Sequence, residues 1–417
     1  AILSIGHEGF RHRSNRKEVI AMTRRVGTVA RGIRAPLIKT GDDIVSVVVD
    51  SIKRACKEEG FSLRDKDVIG ITESLVARAQ GNYATIHDVA NDLSRKMKAD
   101  EIAVLFPILS RNRFFLILKG IIATGKTVHL FLNYPNDEVG NPLMNREVMY
   151  EKGINPYVDT LEEKDYRSIK GLSLRHPFTN VDYVDLYKSV APEGKMHIYF
   201  SNDPKIALKY AKEILVANIH ERDWTKKIAK QAGASVVLGL DDLLTEPVNG
   251  SGYNSEYGLL GSNTASEDRL KLFPRNSQEI CEKIQSLIKD TCQVEVEVMV
   301  YGDGAFKDPK TGIWEFADPV VSPGFTKGLI GTPREIKLKY VVDKELEAQE
   351  GSIDEVIKDR ILKKKASNLD ATETLGTTPR MYTNLIGSLC DLVSGSGDKG
   401  TPIVHVQGYF DDYTSEW

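Results

Sequence analysis

MHIYFSNDPKIALKYAKEILVAN, residues 196–218, decides the internal architecture of this chain. It reads as a strand (196–201), a helix (203–213) and a second strand (214–218) in quick succession. On its N-terminal side lie a helix (112–123), the strand TVHLFLN (127–133) and a polar, aromatic stretch to about 190. On its C-terminal side follow a helix (222–232) and the strand ASVVLGL (234–240). Strands alternating with helices imply a small parallel sheet. PVNGSGYNSEYGLLGS (247–262) is rich in Gly and Asn and reads as a linker returning from that segment.

Outside this segment the pattern changes. Residues 26–39 read as a strand entering a Pro-containing turn, with Thr40 capping the next helix. In that helix Ile44, Val45, Val48, Val49, Ile52 and Cys56 share one broad face, and Gly60 ends it. DVIGIT (67–72) is a short buried strand, followed by a loop or short helical turn, and residues 86–106 read as helical. Toward the other end, 275–290 is an amphipathic helix, and VEVEVMV (294–300) and IKLKYVV (336–342) alternate as strands. A helix over 379–393 carries Met381, Leu385, Leu389 and Leu392 on one side. It ends in SGSGDKG (394–400), before the strand 401–407.

Bulk properties exclude several function classes. The 417 residues are 41% hydrophobic and 28% charged, so the chain buries a core and is not largely disordered. Its 56 basic and 59 acidic residues leave a net charge of −3, giving no basic excess for nucleic acid and no charge block for a membrane surface. The longest apolar runs, such as 44–49 and 114–118, fall far short of the roughly 20 residues that span a bilayer. The first thirty residues hold no apolar core of a signal peptide. Cys56, Cys281, Cys292 and Cys390 form no C-x-x-C pair and read as free thiols. A cytoplasmic protein is expected.

Gly120 to Thr127 fits G-x-x-x-x-G-K-[ST] letter for letter. A working phosphate loop follows a strand and opens a helix. Here a helix precedes Lys126 and β-branched and aromatic residues follow it, so a helix–turn–strand is expected instead. Asp303, in Tyr-Gly-Asp-Gly beyond a strand, is a candidate Mg²⁺ or Mn²⁺ ligand. The loop 394–400 offers successive backbone N–H groups to a phosphate.

Four stretches, in order, resemble the coenzyme F-420 γ-glutamyl ligase family: GIRAPLIKTGDD (32–43), DVIGITESLVARAQGN (67–82), GSNTAS with LKLFP (261–274), and NLIGSLCDLVSGSGDKGTPIVHVQG (384–408). The resemblance implies an α+β fold with a ligase-like domain built from both chain ends, 26–104 and 255–417. The α/β segment 105–254 is an insertion, and 1–25 an N-terminal extension. It implies a GTP- and divalent-metal-dependent ligase that joins L-glutamate through an amide bond to an F-420-like or folate-like carboxylate; ATP stays open. Family members are dimers, so a homodimer is implied.

By the same resemblance Ala35, Pro36, Leu37, Ile38, Glu73, Ser74, Arg78 and Ser266 border the nucleotide. The loop Ser394, Gly395, Ser396, Gly397, Asp398, Lys399, Gly400 and Thr401 lies along it. Asp303 matches a metal-ligand aspartate. Asn263 stands where the family has a second aspartate, Gly304 where it has a threonine, and Ser396 where it has a glutamate; Asp398 is a nearby substitute. Asp308, Glu315 and Asp318 are further candidate ligands. These replacements favour an alternative, a non-catalytic relative with a degraded metal site. A third, minor reading is a P-loop NTPase through Lys126. Within the middle segment, Asp137, Glu138 and His220 lie in loops at strand ends, where ligands commonly bind, and are candidate substrate contacts.

Overall fold

A computed structural model describes residues 26–173, 175–177, 179–302, 322–333, 335–340, 342–343, 353–363, 381–394 and 398–412. Gly304, Asp308, Glu315, Asp318, Gly395, Ser396 and Gly397 lie outside the described residues, as does Asp303. The chain divides into a larger unit, 30–333 with 378–407, and a smaller one, 1–29 with 334–377 and 408–417.

The larger unit is α+β and carries three sheets. The first has the order β1 (Val29–Ile33), β14 (Ile403–Gln407), β2 (Val68–Thr72), β12 (Glu297–Tyr301), β13 (Gly324–Phe325). β2 runs parallel to β12 and antiparallel to β14, so strands from both ends of the chain meet at its centre. One face is covered by the helices Ile44–Glu59 and Ser277–Cys292. Their Val48, Ile52, Ile284 and Ile288 pack on Ile69, Ile71, Val298 and Val300, all fully buried. Each such side chain contributes about 1.5–3 kcal/mol of burial.

The helix Tyr382–Ser394 packs on the opposite face, and its buried residues differ from the sequence expectation. Thr383, Ile386, Gly387, Cys390 and Ser394 face the sheet, while Met381 and Leu392 are exposed. The reason is close approach. A Cβ on Gly70 of β2 would stand 2.6 Å from the Cys390 Sγ, so the sheet admits a small residue there, while Leu385 and Leu389 are half-buried and Leu392 is exposed.

β3 (Tyr83–Thr85), β10 (Asn263–Thr264) and β11 (Arg269–Lys271) form a three-stranded antiparallel sheet. The third sheet has the order β6 (Leu161–Glu162), β7 (Met196–Phe200), β5 (Thr127–Leu132), β4 (Glu101–Leu105), β8 (Glu213–Val216), β9 (Val236–Gly239). All neighbours are parallel except β6. Its parallel strands, numbered in chain order, read 3-2-1-4-5, and the crossover direction reverses beside β4. One core joins this sheet to the three-stranded one: Leu93, Leu118, Leu130, Leu260, Leu270 and Leu272 belong to it.

Several expectations are corrected. Residues 86–106 are a helix, Ile86–Lys96, followed by β4. Ile102 to Leu105 are buried on both faces of a central strand, and such a continuous apolar run lacks the alternation that marks a half-exposed one. The cap of the first helix is Asp43, whose carboxylate accepts from the Val45 and Ser46 N–H groups; Thr40 stands in the turn before it. Pro204–Lys209 is a 3₁₀ helix and shorter than expected. In the smaller unit, 338–340 and 342–343 are helical where a strand is expected. Leu338 and Val342, four apart, pack with Val356, Ile357 and Ile361.

The phosphate-loop look-alike is a helix–turn–strand: helix Phe114–Ile122, Gly125 at φ +76, then β5. Lys126 Nζ donates to the Ala99 carbonyl at 2.5 Å. The four cysteines are free. No helix among the described residues is long and apolar enough to cross a membrane.

Candidate functional site

An open cleft of about 440 Å³ lies where the segment after β1, β2, β10, β11, β12 and the helix Tyr382–Ser394 converge. Segments distant in sequence build it. After β1 the chain carries Ala35, Pro36, Leu37 and Ile38 along one wall. The Ala35 N–H donates to the Gly400 carbonyl, and the Gly41 N–H to Ala79. Arg78 Nε holds the same loop through the Ile38 carbonyl at 2.9 Å. Its guanidinium makes no other bond among the described residues and is exposed at the cleft.

β2 leads directly into the helix Glu73–Ala79, capped by Thr72, whose hydroxyl accepts from the Leu75 N–H. Thr72, Glu73, Ser74 and Arg78 thereby reach the cleft at the end of β2. Glu73 at the first helical position faces the positive end of the helix. Lys271 of β11 donates to Glu73 Oε1 at 2.6 Å, and both side chains are only 11% exposed. Asn263 and Lys271 are direct partners across the antiparallel β10–β11 pair, which sets both side chains on one face. Tyr301 and Gly302 close the end of β12, and Asp391, Ser394, Gly400 and Thr401 close the far wall. The Thr401 hydroxyl donates to the Ser394 carbonyl at 2.9 Å, pinning the chain after the Gly-rich loop to the helix that precedes it.

Most of the sequence candidates therefore meet: Ala35, Pro36, Leu37, Ile38, Glu73, Ser74, Arg78, Asn263, Ser394, Gly400 and Thr401 all line this cleft. Ser266 does not; it is exposed and bonds Asp268 at 2.9 Å. Asp398 and Lys399 are exposed turn residues beside Gly400. Lys271 and Asp391 were not picked out from sequence. Lys271 had a signal, a cation between the fully buried Leu270 and Leu272, but only strand pairing shows that it faces Glu73. Glu73, Asp391 and the Asn263 amide bring hard oxygen donors to the cleft, the type that Mg²⁺ and Mn²⁺ take. Among the described residues no three His, Cys, Asp or Glu side chains cluster.

The candidates of the middle segment have structural partners. The buried Asp137 carboxylate accepts from the Leu109, Val139 and Asn141 N–H groups and from Asn141 Nδ2, all within 2.8–3.1 Å. Burial pushes its pKa up to about 6 against the pull of these donors. Glu138 accepts from the Ile219, His220 and Glu221 N–H groups, and burial raises its pKa too. The His220 side chain is exposed. None of the three lines the cleft.

A family model described as F420-0:gamma-glutamyl ligase matches residues 32–408. No curated protein matches the sequence. The match runs from the wall at Ala35 through the middle segment to the strand after Thr401, so it takes in every side of the cleft, and the chain belongs to the F420-0:gamma-glutamyl ligase family.

Proposed function

We propose that the cleft binds GTP with a divalent metal and joins L-glutamate to the carboxylate of F420-0 or a close analogue. One observation carries this reading: two cations, Arg78 and Lys271, and the oxygen donors of Glu73, Asp391 and Asn263 converge in the cleft from separate strands and helices. Forming an amide from a carboxylate requires activating it. The acceptor carboxylate oxygen attacks the γ-phosphorus as the β–γ bridging bond breaks, giving an acyl phosphate and GDP. The glutamate amine then attacks the acyl carbon, loses a proton, and phosphate leaves. The first step brings two anions together, so positive charge at the reacting oxygens lowers its barrier. Arg78 and Lys271 supply fixed charge, and the helix Glu73–Ala79 points its positive end the same way. A bound Mg²⁺ or Mn²⁺ supplies Lewis-acid stabilisation of the transferred phosphoryl group. The family resemblance adds Asp303 to its ligands; Gly302, one residue before, lines the cleft.

In this reading the six-stranded sheet is an insertion into a ligase domain, and the enzyme acts as a homodimer in the cytoplasm. Asn263 at the cleft, where the family has an aspartate, favours a second reading, a nucleotide-binding relative without turnover. Incubation with F420-0, glutamate and GTP or ATP, with and without Mn²⁺, separates the two. Amide formation that needs Mn²⁺ supports the ligase; nucleotide binding without product supports the relative.

A further inference from the structure

A second cavity, about 260 Å³, opens at the C-terminal ends of β4, β5, β8 and β9. It sits beside β4, where the crossover direction of the parallel sheet reverses, the place at which open parallel sheets bind ligands. Leu109, Phe114, Ile117, Ala217, Leu240 and Leu260 give it apolar walls. Polar side chains line much of the rest, Arg111, Arg113, Asn141, His176, Thr179 and Ser262 among them. Ser262 is 2% exposed, lines the cavity, and its hydroxyl has no hydrogen-bond partner among the described residues. Arg111 also lines it, is exposed, and has no ion pair among the described residues. The Arg111 charge adds to burial in holding the lining His176 neutral, with its pKa lowered to about 4.

The cavity is built rather than incidental. Asp137 fixes Leu109 and Asn141, and Glu138 fixes the Ile219 backbone; all three positions are wall residues. The acidic residues at the strand ends thus shape the recess instead of touching its content. Consecutive residues line the cavity and the cleft. Gly261 and Ser262 line the cavity and Asn263 lines the cleft, and consecutive Cα atoms stand about 3.8 Å apart. The Asn112 carbonyl accepts from both the Thr264 N–H and its hydroxyl at 2.8 Å, tying the loop after β4 to β10 at that boundary.

We infer that this cavity seats the acceptor: its apolar or aromatic body packs beyond β4, an anionic arm meets Arg111 and Ser262, and its carboxylate passes Asn263 into the cleft. This rests on the ligase reading above. At this volume, just under the roughly 300–1,000 Å³ of ligand pockets, the cavity takes one ring-sized part of an acceptor. The remainder extends toward the nucleotide.

The test uses the full chain and F420-0 as the probe. Arg111→Glu is an exposed substitution and leaves the core intact; Ala217→Leu fills the apolar end. The expected result is F420-0 binding weakened by about tenfold or more in each, with a matching rise in its KM. GTP affinity and the KM for glutamate stay at wild-type values. If the wild type forms the amide and both variants keep its F420-0 affinity and KM, the acceptor lies elsewhere and the ligase reading stands. If the wild type neither binds F420-0 nor forms the amide, the ligase reading falls and this assignment falls with it.

Discussion

Replacing Lys271 with Met separates what this residue does for folding from what it does for the ligand. Lys271 Nζ stands 2.6 Å from Glu73 Oε1, with both side chains 11% exposed. Met fills the same volume but removes the cationic half of this ion pair in a largely dry site. Breaking a buried pair from one side costs about 3–5 kcal/mol. The positive end of the helix that Glu73 begins offsets part of this, so about 3 kcal/mol is expected. For a unit of this size that lowers Tm by about 6 °C. Converting Glu73 to Gln in the same chain removes the carboxylate's charge as well and restores most of the loss. GTP affinity behaves differently. Lys271→Met loses a cation from the cleft and binds GTP about tenfold more weakly. Thermal unfolding followed by circular dichroism reads the first effect, and calorimetric titration with GTP and Mn²⁺ reads the second. A Lys271→Met protein melting within a degree of wild type would falsify the buried pair. A Lys271→Met protein with wild-type GTP affinity would leave Lys271 a purely structural role.

Arg78→Ala removes both the tie to the Ile38 carbonyl and an exposed charge at the cleft. Nucleotide affinity is expected to fall about tenfold with Tm little changed, because the side chain is on the surface; Arg78→Lys should recover part of the affinity but not the tie. His176 predicts an acid-side loss of stability. Its folded pKa is about 4 against an ordinary 6.5, so between those values the unfolded chain takes up a proton that the folded one refuses. Stability therefore falls as pH drops through that window, by up to about 3 kcal/mol. Asp137 works in the opposite sense: its raised pKa of about 6 stabilises the fold at low pH and is lost as pH rises through 6. Chemical denaturation of wild type and His176→Asn from pH 4 to 7 isolates the histidine, since Asn keeps an acceptor for the Thr179 N–H. Equal pH slopes in the two proteins would remove His176 from the account.

Much of the frame was legible because it rests on short-range chemistry. The strands 127–133, 196–201 and 214–218 and the helix ended by Gly60 follow from apolar periodicity and a left-handed cap, and they recur in the structure within a few residues. What escaped depends on partners. β4 is buried on both sides and carries no alternation. The helix Tyr382–Ser394 turns its small residues inward because Gly70 lies beneath it, and nothing within the helix announces that glycine. The site divides in the same way. Ala35 to Ile38, Glu73, Ser74 and Arg78 sit in motifs that read as units, and they meet in one cleft. Lys271 gains its role only through its pairing with Asn263 and its contact with Glu73. The acidic residues of the middle segment were visible as a group, but their partners are backbone N–H groups, which sequence does not display.

The central claim is that the cleft makes an amide at the expense of a nucleoside triphosphate. The most direct measurement is product mass, read by mass spectrometry after incubating the full chain with F420-0, L-glutamate, GTP and Mn²⁺. The account predicts F420-0 heavier by one glutamyl residue, one GDP and one phosphate per amide, and loss of product in Asp303→Asn and in the absence of Mn²⁺. GTP bound in the cleft with unaltered F420-0, or glutamylation that proceeds without nucleotide, would contradict it.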